Sequence, residues 1–164
     1  MQGMTKRERQ ITDQNRIIDI LNRGKVLHLG LAVDNEPYVV PMNYGYTMEG
    51  DKLTLYMHCA TKGYKLDLMR VNPKVFFEME CDVQGFEGNV ACQYGTVYQS
   101  IMGRGRAEIV EDVERKKEML TLFMKSQTGR DFTFTDIMVS AVTLVKIDVS
   151  EYTAKRRPMP GTYV

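Results

Sequence analysis

The segment "HCATKGYKLDL", residues 58–68, places two lysines where a strand is expected to turn into a helix. A helix N-terminus carries partial positive charge, and its first backbone N–H groups lack acceptors within the helix. Lys62 and Lys65 are three residues apart, which puts them on neighbouring surface of the first helical turn. Thr61 is expected to cap this helix, and Gly63 would allow a ligand to approach the backbone closely. These features predict a socket for an anion such as phosphate. The alternative is a solvated helix face that happens to carry lysines.

Two neighbouring segments could complete a binding site. Alternation along "YMHCA" puts His58 on the same face as Ala60, at the rim of the predicted socket. His58 could donate a hydrogen bond or a proton to a bound ring, or it could be a satisfied structural histidine. In "VVPMNYGY", Pro41 interrupts the strand ladder and Asn43 offers both a donor and an acceptor. Such a segment suits the polar edge of a flat heterocycle such as a flavin, although a bulged edge strand would look the same.

Other chemistries have little support in the sequence. The two histidines and three cysteines show no zinc spacing, so no metal site is predicted. His28 lies between apolar residues, as structural histidines usually do, and no activating pattern surrounds Cys92. We find no Walker loop, Rossmann fingerprint, serine elbow or paired-carboxylate signature.

The composition is that of a soluble globular domain. The chain has 164 residues, 43% of them hydrophobic and 26% charged, and a net charge of +1. These values predict one domain over residues 1–164, with an N-terminal arm (1–10) and a C-terminal tail (157–164). The near-neutral charge gives no reason to expect binding to nucleic acid or to a membrane. An odd number of cysteines and the lack of a signal-peptide pattern favour a reducing cytoplasm.

The hydrophobic periodicity predicts a mainly β protein of the α+β class. Helices are expected at 13–23, 62–71 and 113–127, with a helical turn within 131–141. Six strands are expected, at 26–33, 38–48, 52–60, 74–83, 92–112 and 142–156. Glycines 103 and 105 suggest a bend or bulge, and 84–91 is expected to be a loop. Short connections favour a six-stranded antiparallel barrel with flanking helices.

Taken in order, several segments resemble the pyridoxamine 5'-phosphate oxidase-like FMN-binding split barrels, and within them the nitroimidazole-resistance proteins. The resemblance covers roughly residues 5 to 157. It rests on the segments "KRERQITDQNRIIDIL", "EPYVVPMNYGY", "LYMHCATKGYKLDLMRVNPKVFFEM", "ACQYGTVYQSIMGRGRAEIVED" and "VTLVKIDVSEYTAKR". The end of the chain, "AKRRPMPGTYV", does not match the Arg-rich motif that holds pyridoxal phosphate in true pyridoxamine phosphate oxidases. The likeness therefore does not extend to vitamin B6 oxidation.

The resemblance implies a homodimer with FMN in a groove at the interface. Val40, Pro41, Met42 and Asn43 would edge the isoalloxazine ring, with His58 beside it. Ala60, Thr61, Gly63 and Lys65 would hold the phosphate, with Lys62 as a supporting charge. Tyr98, Ser100 and Ile101 would come across from the other subunit.

The resemblance also implies an FMN-dependent oxidoreductase that reduces a small electron-poor substrate such as a 5-nitroimidazole. His58 would be the candidate catalytic residue, and NAD(P)H or a reductase would supply electrons. One alternative is a flavin- or haem-binding storage or sensor protein, with His58 or His28 as an iron ligand. Another is a cofactor-free dimeric interaction module.

Overall fold

The computed structural model describes residues 5–161, so residues 1–4 of the predicted arm and 162–164 of the predicted tail lie outside the description. The strands are β1 (Gln10–Ile11), β2 (Val26–Val33), β3 (Glu36–Asn43), β4 (Gly45–Glu49), β5 (Lys52–Cys59), β6 (Lys74–Phe86), β7 (Gly95–Val110) and β8 (Thr143–Arg157). The α-helices are α1 (Gln14–Arg23), α2 (Tyr64–Val71), α3 (Val113–Thr128) and α4 (Asp136–Ser140). None of the helices within 5–161 is long and apolar enough to span a membrane.

The strands form one antiparallel sheet in the order β3-β2-β6-β7-β8-β5-β4, with β1 added to β8. Its two end strands, β3 and β4, follow each other in the chain through Tyr44. The mainly β split-barrel class is thus confirmed, but the count of six strands was wrong: residues 5–161 form eight. The predicted strand 38–48 breaks at Tyr44, whose hydroxyl donates to the Leu21 carbonyl (2.9 Å). The other extra strand, β1, has only two residues, too few to show alternation.

Alternation along the strands separates a core face from an outer face. On β2, Leu27 and Leu29 are fully buried, whereas His28 between them points outward. On β6, Phe77 and Met79 are buried in the same core. A second, smaller cluster lies beneath α3, where Tyr56 of β5 packs in a group that includes Leu120.

Two of the three predicted helices have the expected ends. The Asp13 carboxylate accepts from the Asn15 N–H at the start of α1, and Asp112 accepts from the Arg115 N–H at the start of α3, both at 2.9 Å. Gly129 ends α3 in the left-handed conformation (φ 72°).

The helix after β5 begins two residues later than predicted. α2 starts at Tyr64, and its N-cap is Gly63, with φ at 149°. This conformation is rarely open to other residues, so the helix can only begin after the glycine. The prediction that Thr61 caps the helix was therefore wrong, since no side chain makes a cap hydrogen bond there.

The long hairpin of β6 and β7 carries two irregularities. A register shift between Arg104 and Gly105 confirms the predicted bulge in β7. A second shift lies between Cys81 and Gln84, where Asp82 has a positive φ of 55°. Beyond it β6 continues to Phe86, so the predicted loop 84–91 was partly wrong: its first three residues are strand. The bulge breaks the alternation from which the end of this strand was predicted.

Candidate functional site

The linker between β5 and α2 presents unpaired backbone donors to solvent. Its residues Ala60, Thr61, Lys62 and Gly63 are all exposed. The N–H groups of Leu66 and Asp67 both donate to the Gly63 carbonyl, at 2.9 and 3.3 Å. Within residues 5–161, the preceding N–H groups of Tyr64 and Lys65 have no acceptor. The start of α2 therefore leaves two backbone donors available for a ligand.

The charges at this helix start are also unbalanced. Lys65 is half-buried and Lys62 is exposed, and neither makes an ion pair with another described residue. The one acid of the first turn, Asp67, pairs with Arg70 at 2.9 Å. Asp67 has the charge that usually favours a helix start, but this charge is already engaged by Arg70. The positive charge of Lys65 partly offsets the effect of burial, which raises the pKa of the neighbouring Cys59 thiol.

His58 lies at the end of β5, directly before the linker. As alternation predicts, it shares a face with Tyr56, and this face is turned to α3. Its ring stands edge-on to Phe123 of α3, with the ring centres 4.7 Å apart and the planes at 86°. Partial burial lowers the pKa of His58 below its ordinary value, which favours the neutral imidazole. Sequence reasoning missed Phe123 as a partner because the contact depends on how α3 crosses the sheet.

The predicted ring-binding segment forms the end of an edge strand. Within the described chain β3 pairs with β2 alone, so of the alternatives that the sequence left open Pro41 lies on an edge strand. The register runs unbroken through Pro41, so the expected interruption of the ladder and the bulge are absent there. Pro41 and Asn43 are exposed, Val40 is half-buried and Met42 is buried. The Asn43 amide is not free, since it donates to the Lys25 carbonyl at 3.0 Å.

The segment 98–101 lies far from that edge within one chain. Register places Pro41, His28, Glu78 and Met102 in one row across β3, β2, β6 and β7. Three strand spacings, about 14 Å, therefore separate β3 from β7. Tyr98 is half-buried and Ser100 is buried, whereas the side chain of Ile101 is fully buried in the core. Only the backbone of Ile101 could meet a ligand outside the core.

Three possible metal ligands meet on the outer face, although the sequence spacing predicted none. The side chains of His28, Glu78 and Glu80 bring one ligand atom each within 4.8 Å of one another. His28 Nδ1 lies 3.5 Å from Glu78 and 3.8 Å from Glu80. Burial, together with the adjacent Glu80 carboxylate, raises the pKa of Glu78 to about 7. The pairing of β2 with β6 brings these three side chains together on one face of the sheet. We assign no ligand to this cluster.

Comparison with known proteins identifies the fold and the family. The family model described as "Pyridoxamine 5'-phosphate oxidase" matches residues 13–156. A crystal structure from Bacteroides thetaiotaomicron, named as a candidate 5-nitroimidazole antibiotic resistance protein, is 30% identical with a TM-score of 0.76. That match covers 90% of this chain and 86% of the other. A search of curated proteins gives no match.

Two more distant structures share the fold alone. The flavocytochrome Anf3 from Azotobacter vinelandii is 20% identical with a TM-score of 0.76, over 96% of this chain and 73% of that one. The FAD- and heme-binding protein from Mycobacterium smegmatis is 17% identical with a TM-score of 0.71, over 90% and 72%. The family match over most of the chain, with a 30% identical neighbour of the same fold, confirms the resemblance seen in the sequence. The chain belongs to the pyridoxamine 5'-phosphate oxidase family.

Proposed function

We propose that this protein binds FMN and acts as a flavin-dependent oxidoreductase. The observation that carries the proposal is the start of α2, where two unpaired N–H groups lie in the same turn as the unpaired ammonium of Lys65. A phosphate is the anion that such a helix start suits best. Thr61 and Lys62 stand in the exposed linker directly before it. The residues present therefore fit a flavin phosphate.

The neighbouring strand ends would orient the ring. The free edge of β3 at Val40–Asn43 offers backbone donors and acceptors to a flat heterocycle, and Met42 packs behind it in the core. Burial favours the neutral form of His58, and its ring N–H would donate a hydrogen bond that positions the ring or substrate. We retain His58 as the candidate catalytic residue on this basis.

A second subunit would bring the rest of the site. Pro41, Asn43 and Ser100 face the same side of the sheet, but β2 and β6 separate them by about 14 Å within one chain. A partner stacked on this face could place its own 98–101 segment over β3. Exposed apolar side chains on the same face, Val26, Val39 and Phe76, favour such an interface. We therefore propose a homodimer with the flavin between subunits.

The proposed substrate is a small, flat, electron-poor molecule such as a 5-nitroimidazole. Support comes from the name of the 30% identical structure, which refers to 5-nitroimidazole antibiotic resistance. When bound, the flavin would supply the redox chemistry, with electrons from NAD(P)H or a reductase. The protein would exclude water and hold the substrate near His58. We place this activity in the cytoplasm.

The absorbance spectrum of the protein as purified, followed by titration with FMN, tests the proposal. Paired near-ultraviolet and blue flavin bands, or tight binding of added FMN, are the expected results. A protein that is colourless and binds no FMN would refute flavin binding and favour a cofactor-free interaction module. Loss of absorbance at the blue band on addition of NAD(P)H would identify the electron donor. Recovery of that absorbance when a nitroimidazole is then added would identify the substrate, because the reduced flavin would have passed its electrons to the nitro group.

Haem binding is the second candidate, favoured by the position of His58, whose ring packs on Phe123 but remains partly open to solvent beside the predicted groove. It would make the protein a storage or sensor protein with little catalysis. A single intense Soret band that is lost in His58→Ala would support haem and count against the flavin proposal.

A further inference from the structure

A small cavity lies where the N-terminal segment crosses β7 and β8. Its volume is about 190 Å³, and its lining residues are Thr5, Lys6, Arg9, Tyr98 and Lys155. Lys6 and Arg9 come from the turn before β1, while Tyr98 and Lys155 come from the two long strands. The cavity shares no residue with the start of α2, but it includes Tyr98, which the proposed dimer would bring to the flavin of the partner subunit.

Among the lining residues that the structure describes, three of five are cations and none is an acid. Lys6, Arg9 and Lys155 form no ion pair with any other residue between 5 and 161. The Lys155 ammonium instead lies 5.6 Å from the centre of the Tyr98 ring, a cation–π distance that leaves its charge uncompensated. Convergent like charges repel one another unless a counter-ion joins them.

One of these cations also carries an unsatisfied buried donor. The Nε of Arg9 is shielded from solvent and has no hydrogen-bond acceptor. It is the sole buried side-chain nitrogen or oxygen in the described chain that lacks a partner. Buried N–H groups of this kind are nearly always paired in folded proteins. Arg9 therefore brings an unpaired donor, as well as its charge, to the wall of this cavity.

We propose that this cavity binds an oxyanion, with a phosphate group as the best match. A phosphate would accept from the guanidinium of Arg9, and its charge would neutralise Lys6 and Lys155. The volume of about 190 Å³ is enough for a phosphate group with a small substituent, but too little for a whole dinucleotide. The proposal rests on this chain's own residues and holds whether or not FMN binds at α2.

Titration with inorganic phosphate, followed by ¹H–¹⁵N NMR of arginine side chains, tests the site directly. The Arg9 Nε–H signal is expected to shift and to exchange more slowly with water as phosphate is added. Arg9→Gln and Lys155→Gln should each weaken phosphate binding at this site at least ten-fold. Arg9→Lys keeps the positive charge and should retain more of the affinity than Arg9→Gln does. Lys74→Gln, an exposed lysine elsewhere, should change nothing.

Lys65→Ala separates this cavity from the proposed flavin-phosphate socket. If the cavity binds phosphate, the Arg9 signal still responds in Lys65→Ala. Binding that Lys65→Ala abolishes and Arg9→Gln leaves intact would overturn the cavity proposal while supporting the socket. An Arg9 signal that does not move at saturating phosphate would also overturn it. The affinity of pyrophosphate, compared with that of phosphate, distinguishes the possible ligands. Tighter binding of pyrophosphate would mean that the cavity takes the diphosphate group of a larger ligand, whereas weaker binding would mean that it takes a phosphate monoester.

Discussion

Removal of the Lys65 ammonium is expected to weaken FMN binding about ten-fold. Lys65 is half-buried in the first turn of α2 and makes no ion pair within residues 5–161, so a bound phosphate would be its principal partner. A hydrogen bond to a charged group contributes about 1.5–3 kcal/mol. Because the side chain remains partly exposed, solvent screening favours the lower end, about 1.5 kcal/mol. Each 1.4 kcal/mol changes a dissociation constant about ten-fold.

Quenching of FMN fluorescence in Lys65→Ala measures this loss. The effect should be larger at low than at high ionic strength, because salt screens the ammonium–phosphate attraction. Lys52→Ala is the matched control, since Lys52 is an exposed lysine at the opposite end of β5. Circular dichroism would establish that both variants are folded. A Lys65→Ala affinity within about two-fold of the unmodified protein would refute the assignment of the phosphate to this helix start.

Three further predictions concern stability and protonation. Asp13→Ala removes the cap of α1 and should lower the free energy of unfolding by about 1 kcal/mol. In a thermal unfolding experiment this is a fall in Tm of about 2–4 °C, and an unchanged Tm would contradict the capping role. The pKa of Glu78 is raised from 4.5 to about 7, so the folded protein holds this proton more tightly than the unfolded chain does. The resulting stabilisation is fully present below pH 4.5 and is lost as the pH rises through 7. A third of the side chain is exposed, which limits this loss to about 1 kcal/mol, and urea unfolding of Glu78→Gln should show a flatter pH dependence. Phe123→Leu reduces the shielding of His58, so the imidazole pKa should rise toward its ordinary value in an NMR titration, whereas no change would mean that other groups cause the shift.

Much of the fold was predictable because it depends on local patterns. Apolar alternation located β2 and β5, and the caps Asp13 and Asp112 located two helices to within a residue. The errors occurred where the backbone departs from regular geometry. Gly63, with φ at 149°, delays α2, and the bulge after Cys81 hides the end of β6. Both depend on backbone conformations that the residue types permit but do not require.

The candidate site likewise contains features that could be predicted from the sequence and features that could not. The lysines of residues 62–65 could be recognised from sequence because linker and helix are contiguous. Two other groupings could not be recognised from sequence: the contact of His58 with Phe123, and the cavity that Arg9 and Lys155 share. In each case the crossing of distant segments brings the residues together. The family resemblance implies that residues 98–101 contribute to the site, and this stays a prediction, because nothing in their spacing relates them to β3.

The anchoring of α2 explains why the proposed socket should be ready before a ligand arrives. Leu66, Leu68 and Met69 are all buried in the main core, so the helix is fixed by the turn that follows its exposed start. The preceding residues are fixed from the other side, because Cys59 and His58 are still paired with β8. Only residues 60–63 lie between these two anchors. An anion that binds the N–H groups of Tyr64 and Lys65 therefore has little backbone to order, and binding should cost little conformational entropy. We accordingly expect association of FMN in one fast phase, and a slow second phase in stopped-flow fluorescence would mean that the linker rearranges.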